Sequence, residues 1–303
     1  MSDLIVEIVR GVATGCIYAL LALGLTLIFQ VSGVVNFAQG ALAAVGAYVL
    51  WSLINQAHLP FWPAVAGAIV AVFLIGALCQ LLLLQRLQRA PAASLIVTLG
   101  LLIMLENGAI GLIWGYTSPS PPLWLNLPVS PFQQTTLGPI VLSGLDLATI
   151  GVTVALILLF FGFLRYTRAG ASVRAVAQSA RGAQLVGIRV DRVRLVAWGI
   201  GAGIAAVAGI LIAAAPGQQA PTMAEIYLLS AFAGAVIGGL DNLVGAAVGA
   251  LLIGVVQNLV TFYLPKGLTN VGVSGSAVVF LLLLVVLLLR PAGLFGVAVQ
   301  RRV

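Results

Sequence analysis

A chain of 303 residues that is 62% hydrophobic and only 7% charged cannot present a water-soluble surface, since soluble domains carry about 25% charged residues. Its mean hydropathy of +1.19 points instead to a membrane-embedded protein. A net charge of +7 would suit nucleic-acid binding in a soluble protein, but the arginines fall between apolar runs, where cytoplasmic loops gather positive charge, so no nucleic acid is expected as a partner.

The N-terminal MSDLIVEIVR has acids and no leading basic run. The first apolar segment is therefore expected to stay as a span rather than be removed as a secretory signal. Nine apolar segments follow in order: 4–31, 37–54, 61–85, 92–116, 147–166, 193–215, 226–241, 244–263 and 274–289. About twenty residues are needed to cross the hydrocarbon. The second, seventh and eighth segments are short or glycine-rich, and one of them being re-entrant would give eight crossings. The expected fold class is an all-α polytopic membrane protein with eight to nine transmembrane helices. Cys16 and Cys79 sit inside apolar segments and are read as small core residues. His58 is the only histidine, so no His-based metal cluster is expected.

The connections set orientation. Arg86 and Arg89 lie between the third and fourth segments, seven arginines lie between Arg165 and Arg194, and Arg290, Arg301 and Arg302 follow the last segment. With nine crossings, twelve of the fourteen basic residues share one side, which the positive-inside rule makes cytoplasmic. The N-terminus is then outside, the C-terminus cytoplasmic and Lys266 outside. The proline-rich connection 117–146 is read as an external loop without helix, with Trp124 at the interface. The polar connection 214–225 is also placed outside.

Small residues recur one turn apart, as at Gly245 and Gly249, a spacing that lets helices approach closely. NFAQGALAAVGAYV (36–49) and NLVGAAVGALLIGV (242–255) echo each other, each after a span and a short cytoplasmic link. Internal repeats are common in transporters, although two glycine-rich segments also look alike by chance.

Within the arginine-rich stretch, 172–185 is expected to form one short helix with Ser172 as N-cap and Gly187 as stop signal. Val173, Val176, Ala177 and Ala180 fall on one small apolar face, opposite Arg174, Gln178 and Arg181. Two readings are open: an amphipathic helix resting on anionic lipid, or a helix that docks into a groove of a cytoplasmic partner. Lipid-binding faces usually carry larger apolar residues than alanine, which favours the second.

This segment resembles the cytoplasmic coupling region of permeases in the branched-chain amino-acid (Liv-type) family of ABC importers. The matching residues are Arg168, Gly170, Arg174, Ala175, Ala177, Ala183, Leu185, Gly187, Ile188, Asp191 and Arg192. GCIYALLALGLTLIFQVSGVVNFAQGALAAVGAYV (15–49), FAGAVIGGLDNLVGAAVGALLIGVVQ (232–257) and LLLRPAGLFG (287–296) resemble the family's N-terminal, penultimate and C-terminal blocks. The resemblance covers nearly the whole chain. It implies a type II-like ABC importer permease, with 1–303 as a single transmembrane permease domain. It further implies two ABC ATPase subunits, a second related permease as heterodimer partner and an extracytoplasmic substrate-binding protein. By the same resemblance Arg174, Ala177, Gln178, Ser179, Ala180, Arg181, Ala183, Leu185 and Gly187 would couple to the ATPase. No cofactor is expected on this chain: the sole lysine, in Pro265-Lys266-Gly267, does not form a P-loop, so ATP and Mg belong to partner subunits.

Polar groups inside spans tend to mark function. The candidates for the translocation path are Asn36, Gln39, Glu106, Asn107 and Gln257, with Asn258, Thr26 and Gln30 nearby in sequence. Glu106 has three readings: a packing acid hydrogen-bonded to a neighbouring helix, a lining group of the path, or a proton-coupling group. The family pattern, by the resemblance, commonly has glutamine there. Branched-chain amino acids lead as substrate, with urea, short amides and small aromatic acids open. An ion-coupled secondary transporter using Glu106 is the alternative.

Overall fold

The structure is a computed structural model that describes residues 2–87, 91–115, 135–137, 140–215, 222–263, 275–290 and 293–296. Trp124, Arg89, Lys266, Arg301 and Arg302, and with them the parts of the orientation argument that use them, lie outside the described residues.

Each of the nine apolar segments forms a helix. These are α1 (Ser2–Ser32), α2 (Gln39–Asn55), α3 (Phe61–Leu82), α4 (Pro91–Ile103), α5 (Gly144–Tyr166), α8 (Val190–Ala213), α9 (Glu225–Gly238), α10 (Leu243–Tyr263) and α11 (Gly275–Leu289). Two short helices, α6 (Arg168–Gln178) and α7 (Ala180–Leu185), fill the connection between α5 and α8. α4 continues as a wider π-helical spiral over Met104–Gly115, a form often associated with functional sites. Among the described residues six helices are long and apolar enough to cross a membrane, while Gln39–Asn55, Glu225–Gly238 and Ala277–Leu289 are shorter. The eighth segment is glycine-rich but not short, because α10 runs unbroken through its polar residues to Tyr263. The all-α expectation also needs one amendment. In the connection between α4 and α5, Thr135–Leu137 (β1) pairs antiparallel with Ile140–Leu142 (β2), Thr135 opposite Leu142.

The chain forms two compact units, Met1–Thr26 with Val129–Val154 and Ile226–Val303, and Leu27–Pro128 with Ala155–Glu225. In the second unit α2, α3 and α8 make the core. Leu50, Ala64, Ala68 and Ile210 pack in one cluster, and Ile28, Leu84 and the fully buried Trp198 in another. A Cβ on Gly209 of α8 would collide with the Ala43 backbone of α2. Backbone-to-backbone packing of this kind replaces the hydrophobic drive that is absent between helices in lipid. In the first unit the same device joins α1 to α10, where a Cβ on Gly15 would lie 2.5 Å from the Leu251 carbonyl oxygen. Gly245 and Gly249, expected to allow close packing, do so against Gly238 and Gly234 of α9.

The two echoing stretches begin with the same turn. Gly33 (φ +70°) ends α1 and Gly239 (φ +102°) ends α9, the left-handed positions that close helices. Three residues later Asn36 Oδ1 accepts from the Ala38 N–H at 3.1 Å, and Asn242 Oδ1 accepts from the Val244 and Gly245 N–H groups, each at 3.1 Å. The asparagines thus satisfy amide groups at the starts of α2 and α10 that have no intrahelical acceptor. The C-terminal segment straps the second turn: Leu294 N–H donates to Ile237 O at 2.7 Å and Asn242 Nδ2 donates to Phe295 O at 3.4 Å.

Candidate functional site

The arginine-rich connection is two helices, not the single helix expected over 172–185. Thr167, not Ser172, caps α6, its Oγ1 accepting from Gly170 N–H at 2.9 Å. Ser172 lies inside α6 and donates its hydroxyl to Arg168 O at 3.0 Å. The break falls at Ser179, which is extended, ends α6 and caps α7 by accepting from Gly182 N–H at 3.0 Å. A serine hydroxyl that offers the backbone an acceptor three residues ahead favours a new helix start over continuation. Gly187, at φ +83°, stops α7 as expected, with Ile188 N–H returning to Ala183 O at 3.0 Å.

The faces also differ from expectation. Val173, Val176 and Ala183 are buried, and Ala177 and Ala180 are half-buried. Gly170 sits against the backbone of Phe163 and Leu164 in α5. The small apolar face is therefore turned toward the chain itself. Arg174, Gln178, Ser179, Arg181, Leu185 and Gly187 are exposed. Leu185 is 87% exposed and the adjacent Val186 75%. An apolar pair flanked by Arg181 and Gln184 on a twice-capped segment is the surface this connection presents.

Directly after it, Arg194 in the second turn of α8 donates from Nε to Val31 O at 3.2 Å, with Asp191 Oδ1 3.9 Å from Nη1. A cation there satisfies a terminal carbonyl of α1 and complements the negative end of that helix. Thr98 Oγ1 of α4 lies 3.3 Å from Val35 O of the same turn. Asn36 and Gln39 are fully buried. Asn36 Nδ2 donates to Gln39 Oε1 at 3.0 Å, and Gln39 Nε2 donates to Gly201 O of α8 at 2.9 Å. Their polar atoms bond within the fold and tie the α1–α2 turn to α8.

Glu106 is 4% exposed, in the π-helical part of α4, and its Oε1 has no partner among the described residues. Glu225, the first residue of α9, is close enough for the two carboxyls to influence each other. Asn107 is exposed, its Nδ2 3.4 Å from Ile103 O, so the two adjacent residues do not share a site. Thr26 is fully buried and Gln30 half-buried. In the first unit, Gln257 Oε1 accepts from Tyr18 OH at 3.0 Å, and the Tyr18 ring meets Tyr227 edge-on at 5.8 Å. Tyr18, Tyr227 and the Glu7–Arg10 pair of α1 were not singled out from sequence. For the last, an acid and a base three residues apart inside an apolar run were the available signal.

A family model described as branched-chain amino acid transport system / permease component matches residues 7–289. The high-affinity branched-chain amino acid transport system permease protein LivH of Salmonella typhimurium is 30% identical over 307 residues, spanning 96% of this chain and 94% of that protein. LivH of Escherichia coli K12 matches to the same extent, 30% over 96% and 94%. A probable branched-chain amino acid transport permease protein LivH of Methanocaldococcus jannaschii is 30% identical over 92% of this chain and 88% of its own length.

Proposed function

The chain belongs to the family of branched-chain amino acid transport permease components, and on that premise we propose that it is one of two membrane chains of an ATP-driven importer. As a permease of this family it is a multi-pass protein of the bacterial inner membrane and not itself an enzyme. In the reading proposed, a binding protein delivers a branched-chain or related small amino acid from outside, a second, related permease completes the membrane part, and two partner ATPases bind ATP and Mg.

Nine alternating crossings, N-terminus out and C-terminus in, are supported by which helix ends meet. Arg194, at the start of α8, reaches the end of α1. Trp114 Nε1, at the end of the α4 spiral, donates to Ser52 near the end of α2 at 2.6 Å. The segment after α11 straps the turn between α9 and α10. Each pair falls on one side when α2 to α5, α10 and α11 all cross.

The observation that carries the coupling role is the twice-capped segment 168–187 with Leu185, Val186, Arg181 and Gln178 outward. The inward alanines make Ala177 and Ala180 supports, and the outward residues the docking surface. Tagging the chain in its host and identifying co-purifying proteins tests this. Two ATPases and a second permease are expected with the wild type, and loss of the ATPases with Leu185→Asp. Retention of ATPases by that variant would remove the docking assignment. The Glu106–Glu225 carboxyl pair favours a second reading, an ion-coupled transporter acting alone; uptake without ATP would support it.

A further inference from the structure

Three helices of the first unit bring charged and amide groups to one end. Glu7 and Arg10 lie one turn apart on α1, with Arg10 Nη1 2.8 Å from Glu7 Oε1. Asn258 of α10 bridges behind them: with its amide turned, the nitrogen donates to Glu7 Oε2 at 3.2 Å and the oxygen accepts from Gly11 N–H at 2.9 Å. Asp146, in the first turn of α5, is close enough for its charge to interact with both Arg10 and Glu7. α1 and α5 begin here and α10 ends nearby, so on the orientation proposed above this is the extracytoplasmic end.

The roles of the two α1 residues are unequal. The Glu7 side chain is 11% exposed and bonded through both oxygens, whereas that of Arg10 is 54% exposed. Glu7 and Asn258 therefore fix the guanidinium from behind and leave its remaining donors facing out. Arg10 stands six residues past the start of the apolar span at Leu4, about 9 Å along the helix axis. A half-exposed cation at that depth is costly in hydrocarbon and is a functional group by default. Its planar fork matches a carboxylate or phosphate. The cluster holds one cation and two carboxylates. Arg10 thus offers a cationic partner for a carboxylate, and Asp146 an anionic one for an ammonium group.

We propose that Arg10, oriented by Glu7 and Asn258, receives the α-carboxylate of the amino acid at the outer end of the first unit, with Asp146 placed for its ammonium group. This rests on the importer reading. The same chemistry, an anionic oxygen group beside an ammonium, is also carried by a phosphatidylethanolamine headgroup, and the test separates the two sources.

The importer is reconstituted with its ATPases, second permease and binding protein in vesicles with and without phosphatidylethanolamine, and amino acid moved per ATP hydrolysed is measured with leucine as probe. Arg10→Gln is expected to lower that ratio about tenfold in both lipids, the worth of one lost charge-assisted pair. Arg10→Lys should recover part of it by restoring charge without the fork, and Asp146→Asn should lower it less. If Arg10→Gln does not assemble, Arg10→Lys and Asp146→Asn decide by the same ratio. Wild-type ratios in these variants, or a defect confined to vesicles containing phosphatidylethanolamine, would overturn the proposal. Failure of the wild-type complex to couple uptake to ATP would instead refute the importer reading.

Discussion

Replacing Arg194 with alanine should loosen the α1–α2 turn. Arg194 is 16% exposed at its side chain and donates to a terminal carbonyl of α1, Val31 O, at 3.2 Å. A hydrogen bond from a charged donor contributes about 1.5–3 kcal/mol, and a cation at a helix C-terminus about 0.3–1 kcal/mol. The Asp191 contact, 3.9 Å long with Asp191 62% exposed, adds little. Arg194→Ala should therefore cost at least about 2 kcal/mol locally, some of it offset by water reaching the freed carbonyl. At ~1.4 kcal/mol per tenfold, opening of the turn becomes about 30-fold more frequent. Hydrogen–deuterium exchange of a peptide covering 29–40 reads this directly, with peptides from α10 as internal reference. Arg194→Lys keeps the charge and should recover part of the protection. Unchanged exchange in Arg194→Ala, or equal acceleration in α10, would refute the assignment of Arg194 as the tie between the arginine-rich connection and this turn.

Two further substitutions follow from the packing. Gln39→Leu removes the donor to Gly201 O and the acceptor of Asn36 Nδ2 in a site that is 0% exposed, and should destabilise the purified chain by about 3 kcal/mol; an unchanged thermal midpoint would contradict this. Gly15→Ala places a methyl 2.5 Å from Leu251 O and 2.9 Å from its Cα, where overpacking costs about 1–3 kcal/mol. Gly100→Ala meets nothing within 4 Å and should be neutral or stabilise by up to ~1 kcal/mol through helix propensity. Equal midpoints for the two alanine variants would show that the α1–α10 contact is not close-packed.

The helices were legible because lipid imposes one demand, a long apolar run, and nearly every such run in this chain is bounded by glycine, proline or charge. The two-helix form of the arginine-rich connection was not. Ala-Gln-Ser-Ala-Arg is compatible with one helix, and only the cap geometry of Ser179 on Gly182 divides it. The direction of its apolar face was hidden for a related reason: periodicity finds a face but does not say whether the chain or a partner covers it. Among the polar candidates, residue type pointed to Asn36 and Gln39, but their partner Gly201 lies 162 residues from Gln39, a distance no local pattern spans. Tyr18 and Gln257, 239 residues apart, met for the same reason unseen. Glu7 and Arg10 lie inside the first apolar segment, 4–31, where only their three-residue spacing signals the pair.

The central claim is that ATP hydrolysis on partner subunits, relayed through residues 168–187, drives uptake through this chain. The most direct measurement is leucine uptake into vesicles carrying the reconstituted complex and binding protein, energised by ATP alone with ionophores present to abolish ion gradients. Uptake that persists under ionophores and stops without ATP is the predicted result. Uptake that ignores ATP and collapses with the ion gradients would contradict the claim and move the mechanism to the Glu106–Glu225 pair.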